Sequence, residues 1–236
     1  MKLDERMKTY ESVSKNFLTM RTPVIIRVDG RAFHTFTKHL TKPFCSRLTD
    51  AMIETANYLC ENVQNCVMAY TQSDEISLLL VDYKNIDSEQ WFKGNIQKIS
   101  SVSASLATAK FNQEWGGEDI ATFDSRCFNI PRNDVCNYFI YRQRDCIRNN
   151  IEAVAHSLYS QKDINGLNNK ELIVKIKTEF GMDCDDGSLW HTYFPSTFKN
   201  GGLIDQNSEG NWGEWETREA PIFSEHRGVV ENGIIY

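Results

Sequence analysis

Three acidic residues follow apolar runs in this chain: Asp29, and the pair Asp74-Glu75. Asp29 comes directly after the apolar run 23–28, and the other two lie in a polar turn between two further runs. Carboxylates that converge without histidine suit a hard cation such as Mg²⁺, which completes its shell with water and substrate phosphates. Two such ions can hold the attacking and leaving oxygens of a phosphoryl transfer. The acids therefore suggest metal-assisted chemistry at phosphorus.

The elements that carry these acids can be predicted from the pattern around them. Four runs are apolar enough to form strands. They are residues 23–28, 66–71, 76–82 and 125–132. One helix is predicted at 41–63, where apolar residues recur at three- and four-residue spacing, and a second long helix at about 88–114. The order βαββαβ predicts an α+β fold, a ferredoxin-like, polymerase-type palm whose antiparallel sheet carries two long helices.

This topology brings the acids together. The first and third strands of the arrangement are antiparallel neighbours, so the end of one lies beside the start of the other. We therefore expect Asp29, Asp74 and Glu75 to converge on one edge of the sheet. Two or three converging carboxylates repel one another unless a cation neutralises them. Gly30 would let the main chain approach that ion or a phosphate.

Each acidic motif has a simpler interpretation when it is taken alone. Asp-Gly and Ser-Asp are common turn sequences, and either one in isolation is interpreted as a turn. Their joint placement at neighbouring strand ends favours an acidic metal edge, because turn formation alone would leave that placement as a coincidence.

The remaining chain divides into a few segments. A helix is predicted at 4–19, and residues 133–180 are predicted to be mainly helical, with a break at 164–169. Residues 181–218 are predicted to be loops, and the ending GVVENGIIY a hairpin that turns at Asn232-Gly233. We predict a palm-like catalytic core at 1–132. A helical and irregular region, 133–236, would pack on the core and contact RNA.

Composition narrows the classes of function and compartment. The formal net charge of −6 argues against a generally basic nucleic-acid coat, although a local basic face can still bind RNA. Seven scattered cysteines without a C-x-x-C pair predict reduced thiols and no disulfide framework. No secretion signal, transit peptide or membrane-length apolar run is present, which predicts a cytoplasmic protein without membrane contact.

Three segments resemble a known family. RVDGRAFHTFTK, YTQSDEISLLL and YRQRDCIRNN, in this order and at these separations, are similar to the tRNA-histidine guanylyltransferase superfamily, whose members extend RNA in the 3′-to-5′ direction on a polymerase-type palm. The resemblance covers about the first 160 residues, and KNGGLI is similar to a late segment of the family. It implies a nucleotidyltransferase that acts on tRNA or tRNA-like RNA with GTP, ATP and other NTPs, in a homo-oligomer, typically a tetramer.

The resemblance also implies roles for individual residues. Asp29, Asp74 and the Gly30 carbonyl would hold two Mg²⁺ ions, with Glu75 as a supporting catalytic acid. The nucleotide would be bound by residues of the first two motifs and by two cations further along the chain. Those residues are Asp29, Gly30, Arg31, Ala32, Phe33, His34, Ser73, Asp74, Lys98 and Arg126. Phe33 would offer a ring face and His34 would reach phosphate.

One departure from the family pattern indicates which branch is closer. The branch dedicated to tRNA-histidine carries a histidine where this chain has Ile147, and the residues after Asn149-Asn150 do not match. The departure favours the guanylyltransferase-like branch, which adds nucleotides in a template-dependent way to 5′-truncated RNAs. The densest basic cluster of the chain lies in the same segment. From that cluster we predict RNA contacts by Arg142, Arg144, Arg148 and Asn149.

Three alternatives stay open on the sequence. One is a tRNA-histidine guanylyltransferase of the dedicated type. A second is a nucleotide cyclase, which also pairs a palm with acidic strand ends, although the Gly-Gly-Asp/Glu turn of the bacterial enzymes is absent here. The third is a non-catalytic RNA-binding protein, against which clustered carboxylates argue because they repel a polyanion.

Overall fold

The computed structural model of the protein describes residues 1–184, 186–195, 197–206 and 214–235. The helices are α1 (Leu3–Ser12), α2 (Phe33–Phe36), α3 (Ser46–Asn62), α4 (Ile96–Trp115), α5 (Val135–Leu158), α6 (Gln161–Ile164), α7 (Asn169–Phe180), α8 (Gly187–Tyr193) and α9 (Gly228–Glu231). The strands are β1 (Val24–Gly30), β2 (Cys66–Gln72), β3 (Glu75–Leu80), β4 (Phe123–Asn129), β5 (Gly202–Gln206) and β6 (Trp215–Glu219).

All six strands form one antiparallel sheet in the order β4-β1-β3-β2-β5-β6. The predicted βαββαβ order and α+β class are therefore confirmed. Strands β1 and β3 are neighbours, and Asp29 lies directly opposite Glu75 in their register. Asp29 also faces Asp124 on the other side, in β4. The acidic residues thus share one end of the sheet, which is called the acidic edge below.

One face of the sheet carries the two long helices. Ile26 and Val28 of β1 are fully buried beneath α3 and α4, where Ala56, Leu59 and Phe111 are also fully buried. Because side chains alternate along a strand, Ile25, Arg27 and Asp29 point to the opposite face. That face is apolar around Ile25 and charged towards the acidic edge.

Helix α5 covers the second face. Its residue Phe139 is fully buried with Tyr70 of β2 and Phe223, and the three rings meet edge to face. Further along α5, Ile151 and Val154 belong to a separate apolar cluster with α7 and α8. One long helix therefore joins the sheet to the helical C-terminal region.

The C-terminal predictions were partly wrong. Residues 181–218, predicted as loops, contain α8, β5 and β6, while residues 185, 196 and 207–213 lie outside the described part. The predicted final hairpin is instead α9 followed by a 3₁₀ turn, Asn232–Ile234. Val230 and Ile234, four residues apart, are both buried, which is the spacing of a helical face. Residue 236 of that predicted hairpin is not described.

Other boundaries shifted as well. The N-terminal helix ends at Ser12 rather than near residue 19, and α4 begins at Ile96 rather than near 88, after Phe92 and Lys93 adopt positive φ. The seven cysteines form no disulfide bonds within the described part of the chain. Within the described ranges, no helix combines the length and the apolar character needed to cross a membrane.

Candidate active site

The two aspartates predicted to converge do meet at the acidic edge. Asp29 is the penultimate residue of β1, and Asp74 lies in the two-residue turn between β2 and β3. The backbone N–H of Gly30 donates to the carbonyl of Asp74 at 3.0 Å, so the two segments are fixed to each other. The turn itself requires Ser73 to hold a φ of 50°, a left-handed conformation that is uncommon outside glycine.

Asp74 is poised to attract a cation. Burial raises the pKa of this carboxyl, the nearby Asp29 charge raises it further, and a hydrogen bond from the Ser73 hydroxyl, 3.1 Å away, opposes the rise. The ionised form of Asp74 is therefore incompletely stabilised by the protein alone. A cation between the two aspartates would supply the missing stabilisation of the ionised carboxylate.

Glu75 has a different environment from Asp74, its neighbour in sequence. It is 4% exposed, and the Arg142 guanidinium donates to both of its oxygens at 2.7 and 2.5 Å. Arg27 lies 2.7 Å from the same carboxylate. Burial raises the pKa of Glu75, and the two guanidinium groups counter that rise. Both oxygens of Glu75 are bound by arginine, so the carboxylate holds Arg27 and Arg142 in place, and its supporting catalytic role stays a prediction.

The acids and bases around Asp29 form a continuous series, here called the ion-pair chain. Its members, in spatial order, are Asp124, Arg126, Asp29, Arg27, Glu75, Arg142, Asp145 and Arg148. Successive charged atoms lie 2.5 to 3.6 Å apart along the first six links, and Arg148 closes the series on Asp145. Four acids alternate with four bases, so the chain is electrically neutral.

Sequence reasoning missed Arg27 and Asp124 as members of the site. The sequence did contain a signal, because residues two apart in a strand have their side chains on the same face. This applies to residues 27 and 29 of β1 and to residues 124 and 126 of β4. Register places Asp124 opposite Asp29 and Arg126 opposite Arg27. Charges of both signs on one face of two adjacent strands therefore indicate an ion-pair network.

The prediction that Arg142 contacts RNA was wrong. Its side chain is 3% exposed, because this face of α5 packs onto the sheet and the guanidinium is enclosed with Glu75. Arg144, Arg148 and Asn149 are exposed on the same helix, as RNA contacts must be. Their role in RNA binding stays a prediction.

The residues after the first strand are placed beside the edge, with one exception. Arg31, Ala32 and His34 are exposed, and Ala32 holds a left-handed φ of 56°. Phe33, predicted to offer a ring face to the nucleotide, is 4% exposed and packs against three other aromatic rings of the core. A Cβ at position 30 would collide with the Phe33 ring, which explains the glycine there.

The two predicted phosphate-binding cations lie at different places. Arg126 is at the acidic edge, 3.6 Å from Asp29. Lys98 is exposed in the first turn of α4, a helix whose Ser103 contacts Ser125 of β4. Its contact with a triphosphate stays a prediction.

A cavity of about 200 Å³ opens next to the Ser73 turn. The segment before α3, the end of β2, the exposed side of α5 and the start of β5 surround it. Its lining includes Thr37, Lys42, Thr71, Ser73, Asn149, Asn150 and Gly202. The cavity therefore lies between the acidic edge and the part of α5 predicted to contact RNA.

The cavity wall at residues 198–201 is held by side chains of α5 and β2. Asn150 donates to the Lys199 carbonyl at 3.0 Å, and the Tyr70 hydroxyl and Gln143 both donate to the Asn200 carbonyl, at 2.9 and 3.3 Å. Gln143 also binds the backbone of residues 221 and 223. These contacts give Gln143 and Asn150 of α5 a positioning role.

Replacing Gly201 with alanine tests how tightly that wall is built. Gly201 has a φ of 83°, and a Cβ there would collide with the Tyr70 hydroxyl. We expect Gly201→Ala to lower the free energy of unfolding by about 2–4 kcal/mol, from backbone strain plus the collision. Gly166→Ala is the matched control, since Gly166 has a φ of 85° with open space around it, and should cost only about 1 kcal/mol. Equal losses in urea unfolding would contradict the collision.

The sheet and its acidic edge place the protein among the palm-type nucleotidyltransferases. Residues 4–131 match the family model described as Thg1: tRNAHis guanylyltransferase, and the chain belongs to this family. The predicted family and enzyme class are thereby confirmed.

Solved structures and curated sequences agree with this assignment. A bacterial tRNA(His) guanylyltransferase (Thg1)-like protein in complex with ATP is 39% identical with a TM-score of 0.90, each chain covered in full. Another such bacterial protein, in complex with GTP, is 37% identical with a TM-score of 0.83 and 99% of each chain covered. The probable tRNA(His) guanylyltransferase of Dictyostelium discoideum is 32% identical over 62% of this chain and 59% of its own length.

Proposed function

We propose that the protein adds nucleotides to the 5′ end of tRNA or tRNA-like RNA in the 3′-to-5′ direction, in a template-dependent repair reaction. The observation that carries the proposal is the pairing of Asp29 and Asp74 at adjacent strand ends, directly beside the cavity at Ser73. Similar bacterial proteins have been solved with ATP and with GTP, which supports binding of both nucleotides.

Two Mg²⁺ ions would be held by Asp29, Asp74 and the carbonyl of Gly30. The donor set fits a hard cation, because all three ligands are oxygens and Asp74 carries an incompletely stabilised charge. Within the described ranges, no three or more His, Cys, Asp or Glu side chains come together as a metal site, so water and substrate phosphates would have to complete the shell. When bound, the ions would supply charge neutralisation to the attacking and leaving oxygens.

The chain's own side chains would position the reactants. The cavity is below the range of about 300–1,000 Å³ typical of small-molecule sites, so it suits a nucleobase and leaves the phosphates at the edge. Arg126, which is 54% exposed at its side chain, can exchange its contact with Asp29 for a phosphate oxygen. Catalysis would thus rest on orientation and charge stabilisation, without a side-chain nucleophile.

The reaction would follow the scheme of the family. The 5′-monophosphate end would attack the α-phosphorus of ATP and release pyrophosphate. The 3′-hydroxyl of an incoming NTP would then attack the activated 5′ phosphorus and displace AMP. An RNA that already carries a 5′-triphosphate would skip the activation and lose pyrophosphate in the attack. Template dependence is supported by Ile147, which is half-buried in the apolar cluster of α5, α7 and α8 and offers no polar group for a dedicated contact.

We also propose a homotetramer in the cytoplasm, as the family resemblance implies. Helix α1 buries none of its residues and exposes Leu3, Tyr10 and nearby Val13. A helix that buries none of its residues and carries exposed apolar side chains supports an interface between copies.

The deciding experiment supplies labelled tRNA with a 5′-monophosphate or 5′-triphosphate, either full length or one nucleotide short, with each NTP and Mg²⁺. We expect extension only of the truncated RNA, by the nucleotide complementary to the opposite base. Addition of G to full-length tRNA-histidine regardless of template would indicate the dedicated enzyme. Product formed from GTP without RNA would indicate a cyclase and overturn the proposal.

RNA binding by α5 leads to a separate prediction. Replacing exposed Arg144 and Arg148 together with alanine should weaken tRNA binding and reduce the salt slope of log Kd by about 2, one per lost phosphate contact. Filter binding from 50 to 200 mM salt measures the slope. The control is Arg6→Ala/Lys8→Ala on α1, which removes the same charge from an exposed helix. If both double variants changed the salt slope equally, the effect would come from the net charge of the protein and not from phosphate contacts of α5.

The raised pKa of Asp74 predicts a stability effect that needs no activity measurement. An acid whose pKa is higher in the folded state favours folding while protonated, and that contribution is lost as the pH rises through the folded pKa. Without metal, Asp74→Asn should therefore raise the urea midpoint at pH 7, and its advantage should shrink as the pH falls towards the ordinary value of 3.8. Added Mg²⁺ should stabilise only the wild type. If Asp74→Asn were less stable than the wild type by the same amount at every pH, the claim that the fold raises the pKa of Asp74 would be contradicted.

A further inference from the structure

The end of the sheet opposite the acidic edge holds the N-terminal segment 16–21. Leu18 donates its N–H to Gly94 at 2.8 Å, and the N–H of Arg21 donates to Asp82 Oδ2 at 2.9 Å. The amide nitrogen of Gln90 donates to the Thr19 carbonyl at 2.9 Å. Asp82, just after β3, and Gln90 thus help to fasten this segment to the sheet, together with Asn129 of β4, which binds the N–H and the carbonyl of Thr19.

Each of these two side chains has a second oxygen that lacks a partner. Asp82 is 6% exposed and Gln90 is 8% exposed, so both are more than nine-tenths buried. Asp82 Oδ1 and Gln90 Oε1 are fully buried and accept no hydrogen bond from the described residues. Asp82 also makes no ion pair within the described part of the chain. A buried oxygen without a partner has lost its hydration and gained no hydrogen bond, so native proteins nearly always satisfy such atoms.

The orientation of the Gln90 amide is fixed by its surroundings. Its nitrogen is needed by the Thr19 carbonyl, which cannot donate, so an exchange of the amide nitrogen and oxygen would lose that bond. A Cβ at position 94 would collide with Oε1, and the glycine there leaves the space that Oε1 occupies. The unpartnered atom is therefore the oxygen.

Both residues line one small cavity. Its volume is about 10 Å³, and the rest of its wall is formed by Leu18, Val24, Leu80, Trp91, Ile99 and Asn65, whose amide nitrogen donates to the Glu89 carbonyl. A cavity of roughly 10–15 Å³ on this measure has room for one water molecule. Two acceptors, one of them a carboxylate, exclude an anion, and an apolar occupant would leave both oxygens unsatisfied. A hydrated divalent ion is too large.

We propose that this cavity binds a single internal water molecule, which donates one hydrogen bond to Asp82 Oδ1 and the other to Gln90 Oε1. The water supplies two donors where the protein presents only acceptors. It also completes a network from the end of β3 to the 3₁₀ turn that precedes α4, with segment 16–21 held by the same two side chains. The site is therefore a structural binding site, separate from the acidic edge.

A crystal structure of the full chain at about 1.5 Å, with crystals transferred from KCl to RbCl, tests the proposal. The expected result is one peak within about 2.6–3.2 Å of both oxygens and no anomalous signal at the rubidium edge. A rubidium peak would make this a monovalent-cation site and overturn the water assignment. A cavity without a peak would also overturn it.

A variant gives an independent readout. Gln90→Leu removes one acceptor, and we expect the peak to disappear and the urea midpoint to fall. Gln97→Leu, at an exposed position of α4, is the matched control and should keep both the peak and the midpoint. A water retained at full occupancy in Gln90→Leu would contradict a site built by these two oxygens.

Discussion

Replacement of Asp29 or Asp74 by asparagine is expected to reduce nucleotide addition by about a thousandfold or more. Asparagine keeps the shape of each side chain but removes the charge that would hold Mg²⁺ at the acidic edge. Loss of one preorganised electrostatic group at a reacting centre already lowers kcat by ~10²–10³-fold, and a weakened metal adds to this. Single-turnover extension of a truncated tRNA, with Mg²⁺ varied, measures the effect.

The matched control for these variants is Asp87→Asn. Asp87 is an exposed aspartate beyond the opposite end of the sheet, so its loss should leave the rate unchanged. Circular dichroism and urea unfolding would establish that all three variants fold. A rate near that of the wild type in Asp29→Asn or Asp74→Asn would refute the assignment of the site.

The largest expected effect on stability is that of Arg142→Met. The change leaves the Glu75 carboxylate buried, with Arg27 as its remaining guanidinium partner. Removing one member of a buried ion pair typically costs about 3–5 kcal/mol, and Arg27 lowers this somewhat by retaining its contact. Urea unfolding at pH 7 measures the loss.

Arg144→Met is an unusually close control. It makes the same chemical change two residues away on α5, where the side chain is exposed, and should shift stability by no more than about 0.5 kcal/mol. The double variant Glu75→Gln/Arg142→Met should be more stable than Arg142→Met, because it no longer leaves a buried charge. Similar midpoints for the Arg142 and Arg144 variants would show that the buried pair contributes little.

The core of the fold and the position of the acidic edge were predictable from sequence. The apolar runs that became β1, β2 and β3 alternate with helices in an order that has few topologies, so the adjacency of Asp29 and Asp74 followed from connectivity. The expectation that a cation binds there then followed from the repulsion between the two carboxylates.

Side chains on α5 were harder to predict. Arg142, Arg144 and Arg148 form one basic cluster in the sequence, yet Arg142 is buried and the other two are exposed. Which stripe of a helix packs inward depends on the partner it meets, and that partner, Glu75, is distant in sequence.

Strands β5 and β6 escaped prediction because their sequence signals are short and polar. Residues 215–219 read Trp-Glu-Thr-Arg-Glu, which gains strand structure only by pairing with β5, itself paired to β2. The final residues were misread because Asn232-Gly233 is a strong local turn signal. Burial of Val230 and Ile234 in the core outweighed it.

The ion-pair chain has a consequence for how this enzyme tolerates change. Each inner member touches an opposite charge on both sides, so a single substitution leaves two neighbours under-compensated. Effects of substitutions along the chain should therefore be non-additive, including those at residues far from the acidic edge. Relatives that alter one of the eight charges are expected to alter an adjacent one as well, so that these positions covary across the family.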